Sequence, residues 1–273
     1  MTTKAVDWIK AHVLAFVAIV ILVFLVAPNA IMLLFSFNQP ANKYNFVWNK
    51  FSANAWRHPC ASADMCSSIK LSVSIAVIAT IVATALGTMV AFAMMRHRFK
   101  ARGFLNVLLF LPMAAPEVTM GITLMTFFYN TTGSNSLGFW TIVIAHVMFS
   151  LSYVVVTVKA RLSGMDPTLE KAAADLYATP MQTFRRVTLP LVMPGILAAA
   201  LLSFALSIDD YIITVLTAGN EVTFPMYVYA SFQHSVPAQI DVIGSTMLLI
   251  TLVGIACAQV PQIVKSLRAS SAG

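Results

Sequence analysis

The sequence predicts an all-α integral membrane protein with six transmembrane helices, and three observations carry that expectation. The first is composition: 59% of the 273 residues are apolar and 10% charged, and mean hydropathy is +0.83. A soluble domain carries about 25% charged and about 45–50% apolar residues. The second is a set of long uncharged runs, and the third is a lopsided distribution of Lys and Arg among the segments between them. Together they exclude an ordinary soluble enzyme, a disordered chain and a disulfide-rich secreted module. With 12 Pro and 11 Gly the chain is not low-complexity either. A net charge of +7 would suggest nucleic acid in a soluble chain, but here position matters more than sum.

Residues 11–42, 71–95, 118–158, 187–208 and 242–264 contain no Asp, Glu, Lys or Arg. A span needs about 20 apolar residues, and a charge at the bilayer centre costs about 3 kcal/mol on insertion scales. The polar turn Asn130-Thr131-Thr132-Gly133-Ser134-Asn135 divides the run 118–158, so six helices are expected near 11–37, 69–95, 104–129, 138–158, 190–218 and 239–263. The first is read as a retained span: its apolar stretch is too long for a signal peptide and shows no clear small-residue cleavage pattern. The second carries Ala83, Gly87 and Ala91 at i, i+4 and i+8, a stripe for close helix packing. In the third, Pro112 and Pro116 free backbone carbonyls and kink the helix. His146 in the fourth reads as a polar packing residue. A β-barrel is excluded, because its strands are about 10 residues of alternating pattern.

Thirteen of the 17 Lys and Arg fall in one set of connecting segments: the N-terminus, 96–102, 159–186 and the C-terminal tail 264–273. The positive-inside rule puts that set, and both termini, in the cytoplasm, which agrees with an even span count. Cys60 and Cys66 lie in the exported loop 38–66, where an oxidising compartment allows a local disulfide. Cys257 lies inside the last span. No His, Cys or carboxylate cluster has convincing metal spacing, so no metal site is expected, and no catalytic residue is either.

The stretch 163–195 is the most informative. Asp166 before Pro167 reads as an N-cap with proline at the first helical position. Leu169, Ala172, Ala173 and Leu176 recur on one helical face. Thr179 and Gln182 have capping-box spacing, and Leu189-Pro190 closes a second short helix. The Ala-rich face is shallow and suits a groove on another protein. No Gly in the chain is followed by Lys, so there is no P-loop to cradle ATP phosphates.

The segment resembles the EAA motif of ABC-importer permeases, Glu-Ala-Ala, three residues, Gly, nine residues, Ile-x-Leu-Pro. Ala172, Ala173, Val187, Leu189 and Pro190 match it. Lys171 stands at the Glu position with Glu170 one place earlier, and Tyr177 stands at the Gly. The similarity runs on through Ser207-Ile208-Asp209-Asp210-Tyr211, covers roughly 65–263, and is nearest to the spermidine/putrescine branch. The resemblance implies an N-terminal helix and exported loop over 1–64 ahead of a permease core over 65–263. It implies a coupling helix within 163–190 that inserts into an ATP-binding subunit, with Asp166, Glu170, Ala172, Ala173, Asp175, Leu176, Tyr177, Leu189 and Pro190 as its coupling residues. It also implies a second, different permease chain, two ATP-binding subunits that hold ATP and Mg, an extracytoplasmic solute-binding protein, and polyamine cargo. No cofactor is expected in this chain.

Three carboxylates lie inside the expected spans: Glu117, Asp209 and Asp210, with no Lys or Arg in the apolar interiors to neutralise them. An intramembrane carboxylate marks function by default, and an acidic passage favours a cation. Tyr211 and Tyr129 could add cation–π contacts. Two blander roles stay open: Ser207 and Asp209 capping a broken half-helix, or Asp210 pairing with a partner permease. The same importer class with iron, thiamine, a phosphonate or a sugar as cargo is the alternative, and a secondary transporter is a more distant one, since no internal repeat is seen.

Overall fold

The computed structural model describes residues 2–60, 63–97, 100–133, 136–250 and 252–253. Helices form where the apolar runs fall. α1 (Thr2–Phe35), α3 (Ala63–Arg96) and α6 (Phe139–Ser163) are each long enough to cross a bilayer. So is the continuous helix Pro180–Ile208, which comprises α8 (Pro180–Thr183), a π-helical turn (Phe184–Thr188) and α9 (Leu189–Ile208). A fifth candidate is a bent pair, α4 (Arg102–Ala114) and α5 (Glu117–Thr132), whose axes differ by 104°.

Two expected spans are therefore not continuous helices. The segment 104–129 breaks at Ala115-Pro116. Pro112 sits inside α4 without ending it, whereas Ala115, the residue before Pro116, is extended at φ −72° and ψ 139°. The ring of the following proline disfavours helical ψ there. The segment 190–218 stops at Ile208, and a short α10 (Ile212–Thr217) resumes after Asp209-Asp210-Tyr211. α11 (Phe224–His234) follows, then α12 (Ala238–Ile250). Most of the expected span 239–263 beyond it, Cys257 and the tail 264–273 lie outside the described residues. Between α6 and α9, α7 (Thr168–Asp175) precedes α8. Cys60 and Cys66 are both disulfide-bonded.

Residues 64–229 make one compact unit. Its core packs α3 against α6 and α9, with Ala83, Ala91, Met94, Val154, Val158, Val192 and Ala199 buried together. Gly87 makes this approach close: a Cβ there would meet Val154 Cγ1 at 2.6 Å. The small-residue stripe of the sequence is thus a contact face. A second cluster, Leu124, Phe128, Ala145, Phe149 and Ile213, joins α5, α6 and α10.

Residues 1–63 with 230–273 make the other unit. From His12 onward α1 is apolar on all sides and largely exposed in this chain, Leu14 at 74% and Phe24 at 77%. Lipid tails are as apolar as leucine, so such exposure costs nothing in a bilayer. After α1 the chain is more ordered than a connecting loop and not wholly helical: β1 (Asn38–Gln39) and β2 (Lys50–Phe51) pair antiparallel, and α2 (Asn54–Arg57) follows. Two buried carboxamides organise this region. Asn38 donates to Asn45 Oδ1 at 2.7 Å and accepts from the Asn49 N–H at 2.9 Å. Asn45 in turn donates to Asp241 Oδ2 at 2.7 Å and to the Phe35 carbonyl at 2.9 Å.

Candidate functional site

The two helix breaks within residues 64–229 put the sequence's acidic residues in different surroundings. Glu117 opens α5 right after the Pro116 break and is exposed. A carboxylate is favoured in a helix's first turn by the exposed N–H groups and the macrodipole. Asp209 ends α9 and is also exposed in the lone chain. It lies close enough to Glu117 and Asp210 for their charges to repel it. α5 reaches α10 because Gly121 has no side chain; a Cβ there would meet Leu216 Cδ1 at 2.6 Å. Among the described residues neither Glu117 nor Asp209 has a basic partner.

Asp210 is different, since its side chain is only 5% exposed. Its Oδ1 accepts from the Thr214 N–H and from the Thr214 hydroxyl, both at 2.9 Å. It therefore caps α10, and this local competition for backbone N–H groups ends the helix without Gly or Pro. Thr214 Oγ1 is 2.9 Å from His146 Nε2, and His146 Nδ1 is 2.7 Å from Ser207 Oγ. One assignment satisfies every atom of a neutral imidazole. Ser207 O–H donates to Nδ1, Nε2–H donates to Thr214, and Thr214 donates to the Asp210 carboxylate. So one side chain from α6 grips both sides of the break between α9 and α10. Tyr211 turns to Tyr229, with ring centroids 4.8 Å apart.

A half-helix cap was one sequence reading for this region; the capping carboxylate is Asp210 and not Asp209. His146, a packing residue by its sequence context, is the centre of the network. The available signal in the sequence is an ionisable side chain in mid-span. Asp241 is the other residue that was passed over, because it lies at the edge of its apolar run.

The segment between α6 and α9 supplies the second constellation. The Asp166 carboxylate accepts from the Thr168 N–H at 2.9 Å, and those bonds hold its pKa below the ordinary value. The capping box forms: Gln182 N–H donates to Thr179 Oγ1 at 3.3 Å, and Thr179 N–H donates to Gln182 Oε1 at 2.9 Å. Tyr177 has φ +57°, the one positive φ outside glycine among the described residues. The backbone thus keeps the left-handed turn that glycine favours, and it throws the tyrosine ring outward at 95% exposure, beside Leu176 at 82%. Ala172 and Asp175 are exposed, Ala173 and Leu189 half-buried, Pro190 exposed.

Glu170 does not face outward with them. Both guanidinium nitrogens Nη1 and Nη2 of Arg96 donate to its two oxygens, and the Thr188 hydroxyl donates to Oε1 at 2.5 Å. The Arg96 bond, helped by Thr188, holds the Glu170 carboxyl below its ordinary pKa. The sequence placed Glu170 with the outward coupling residues, and geometry sets it apart from them.

A multi-pass α-helical membrane protein is the class that these spans, buried polar links and helix breaks define. The chain belongs to the family of binding-protein-dependent transport system inner membrane components, which it matches over residues 64–263. It is 31% identical over 234 residues to the spermidine/putrescine transport system permease protein PotC of Haemophilus influenzae, covering 85% of this chain and 90% of that one. It is 34% identical over 231 residues to the putrescine transport system permease protein PotI of Escherichia coli K12, covering 82% of each. Its fold is similar to a chain of a bacterial ABC transporter involved in alginate import, with TM-score 0.62, 16% identity, and 94% and 96% of the two chains covered. A methionine ABC transporter in inward-facing conformations gives TM-score 0.58 at 15% identity, covering 74% and 95%.

Proposed function

We propose that this chain is one of two permease subunits of an ATP-driven, solute-binding-protein-dependent importer of polyamines such as spermidine and putrescine. It crosses the membrane six times, with both termini in the cytoplasm. The bent pair α4–α5 counts as one crossing, and the apolar run 239–263 of the sequence as the last. A different permease chain completes the pathway. Two ATP-binding subunits hold ATP and Mg and hydrolyse the nucleotide, and each docks on a coupling segment, here 163–190.

One observation carries the cargo reading: Glu117 and Asp209, each beside a helix break, have no basic partner among the described residues, in a chain similar to polyamine permeases. Uncompensated carboxylates in a membrane are costly, and a passing ammonium group relieves that cost. Glu117 and Asp209 are assigned to the pathway and Tyr211 to its wall. Asp210 is assigned to the pathway's frame, because its buried carboxylate already accepts from Thr214 through Oδ1. Docking is assigned to the outward tip, Leu176 and Tyr177, with Ala172, Ala173 and Asp175 along the same segment.

The test is reconstitution of the assembled transporter, with its partner permease, ATP-binding subunits and binding protein, in proteoliposomes. ATP-dependent accumulation of labelled spermidine or putrescine, competed by the other polyamine and not by thiamine, a phosphonate, a sugar or iron, is expected. Uptake of one of those competitors in place of polyamine would replace the cargo assignment. Uptake by this chain alone on an ion gradient would remove the importer reading.

A further inference from the structure

We infer that Arg96, Glu170 and Thr188 form a clamp that passes movement of the docking segment to α3 and α9, with Glu170 a positioning residue and not a contact to the ATP-binding subunit. This rests on the docking assignment proposed above. Arg96 is the last residue of α3, and Glu170 lies in the first turn of α7. Each charge therefore also suits its own helix end. The guanidinium meets both carboxylate oxygens, a bidentate geometry that fixes direction as well as distance. The Glu170 side chain is only 18% exposed.

The third arm reaches the other neighbouring span. Thr188 is 2% exposed, ends the π-helical turn and directly precedes α9, and its hydroxyl closes on Glu170. One carboxylate is therefore bonded from the end of α3 and from the start of α9. α7 itself has no buried residue, and an open groove of about 380 Å³ runs beside it, lined by Phe92, Arg96, Glu170, Ala174, Phe184 and Thr188 among others. The three-way link gives movement of this exposed helix a direct route to the end of α3 and the start of α9.

The experiment uses the assembled transporter in proteoliposomes, with Arg96→Glu, Glu170→Arg and the double exchange. Two quantities are read: retention of the ATP-binding subunit on purification, and polyamine uptake per ATP hydrolysed. Each single variant is expected to keep the subunit while uptake per ATP falls at least about fivefold, and the exchange to recover most of the loss, since it rebuilds the pair. Glu170→Gln keeps an acceptor for Thr188 while removing the charge, and it is expected to show the same loss should the exchange assemble poorly. Unchanged uptake per ATP in the single variants and in Glu170→Gln overturns the clamp. Loss of the subunit in Glu170→Arg without recovery in the exchange also overturns it, making Glu170 a docking contact. Full retention of the subunit in Tyr177→Glu carries a separate signature: it overturns the docking assignment itself, and the clamp's transmitting role with it.

Discussion

Tyr177 holds a left-handed backbone at φ +57° with its ring 95% exposed, a conformation that costs a non-glycine residue about 1–2 kcal/mol. No packing in this chain offsets that cost. Tyr177→Gly removes it but also frees the unfolded chain, worth about 0.4–1 kcal/mol in the opposite direction. Thermal unfolding of the purified chain is therefore expected to shift by less than about 1.6 kcal/mol, while the fraction of ATP-binding subunit retained on purification drops. Full retention would remove Tyr177 as an anchor. Asp209 and Asp210 differ in the same way between framework and surface. Asp210→Ala removes the acceptor of the Thr214 N–H, while the Thr214 hydroxyl keeps the Asp210 carbonyl, and leaving a buried donor unmet is expected to cost about 1–3 kcal/mol. Asp209→Ala touches no such bond, so stability should hold within about 0.5 kcal/mol while cation uptake falls; an equal stability loss in both would refute the split. The sequence shows two adjacent aspartates and no difference between them. The difference is set by the irregular backbone of the break between α9 and α10, which turns one of them inward to Thr214.

Elements were legible where they depend on composition over a long window and hidden where they depend on one local competition. α1, α3 and α6 follow from uncharged runs, and the stripe Ala83, Gly87, Ala91 correctly marks a packing face. The breaks at Ala115-Pro116 and at Asp209-Tyr211 are set by a single pre-proline residue and a single capping carboxylate, which window hydropathy averages away. The π-helical turn and the buried asparagines after α1 depend on partners far along the chain. Packing at Gly87 gives a direct check: Gly87→Ala places a methyl 2.6 Å from Val154 Cγ1. Overpacking of this kind costs about 1–3 kcal/mol, and Val154→Ala in the same chain is expected to recover most of it. Two additive losses in the double variant would mean that the helices do not meet there. The α3–α7 link has its own pH signature. Glu170 sits below its ordinary value of 4.5 because Arg96 and Thr188 bind its charged form. A depressed native pKa makes the unfolded chain the better proton binder, so the contribution is complete above about 4.5 and disappears as pH falls through the native value. The stability gap between the parent and Glu170→Gln is thus expected to be constant near neutrality and to close on acidification below that point. A gap that widens toward acid would contradict the pairing.

At the scale of the whole molecule the bent pair α4–α5 decides the topology. The 104° bend fits either a broken helix that still crosses the membrane or a hairpin that returns to its own side. The basic residues choose between them. Four Lys and Arg lie in 96–102 and five in 159–186, and translocating either cluster is disfavoured, so both belong on one side. α6 is long and apolar enough to be a full crossing between them, and the proposed even count then takes the bent pair as a second crossing. On that proposal Asn130 lies on the far side, and Glu117, at the bend, sits at a depth between the two surfaces, where an unneutralised carboxylate can meet a translocated cation. Single cysteines introduced at Lys100, Asn130 and Lys171, all exposed, in a chain whose three native cysteines are replaced by alanine, read this directly with a membrane-impermeant maleimide. Asn130→Cys is expected to label in intact cells, whereas Lys100→Cys and Lys171→Cys label only in inside-out vesicles. Lys100→Cys and Asn130→Cys reacting from one side, with Lys171→Cys from the other, would make α4–α5 a re-entrant hairpin, break the even count of spans and move Glu117 off the pathway.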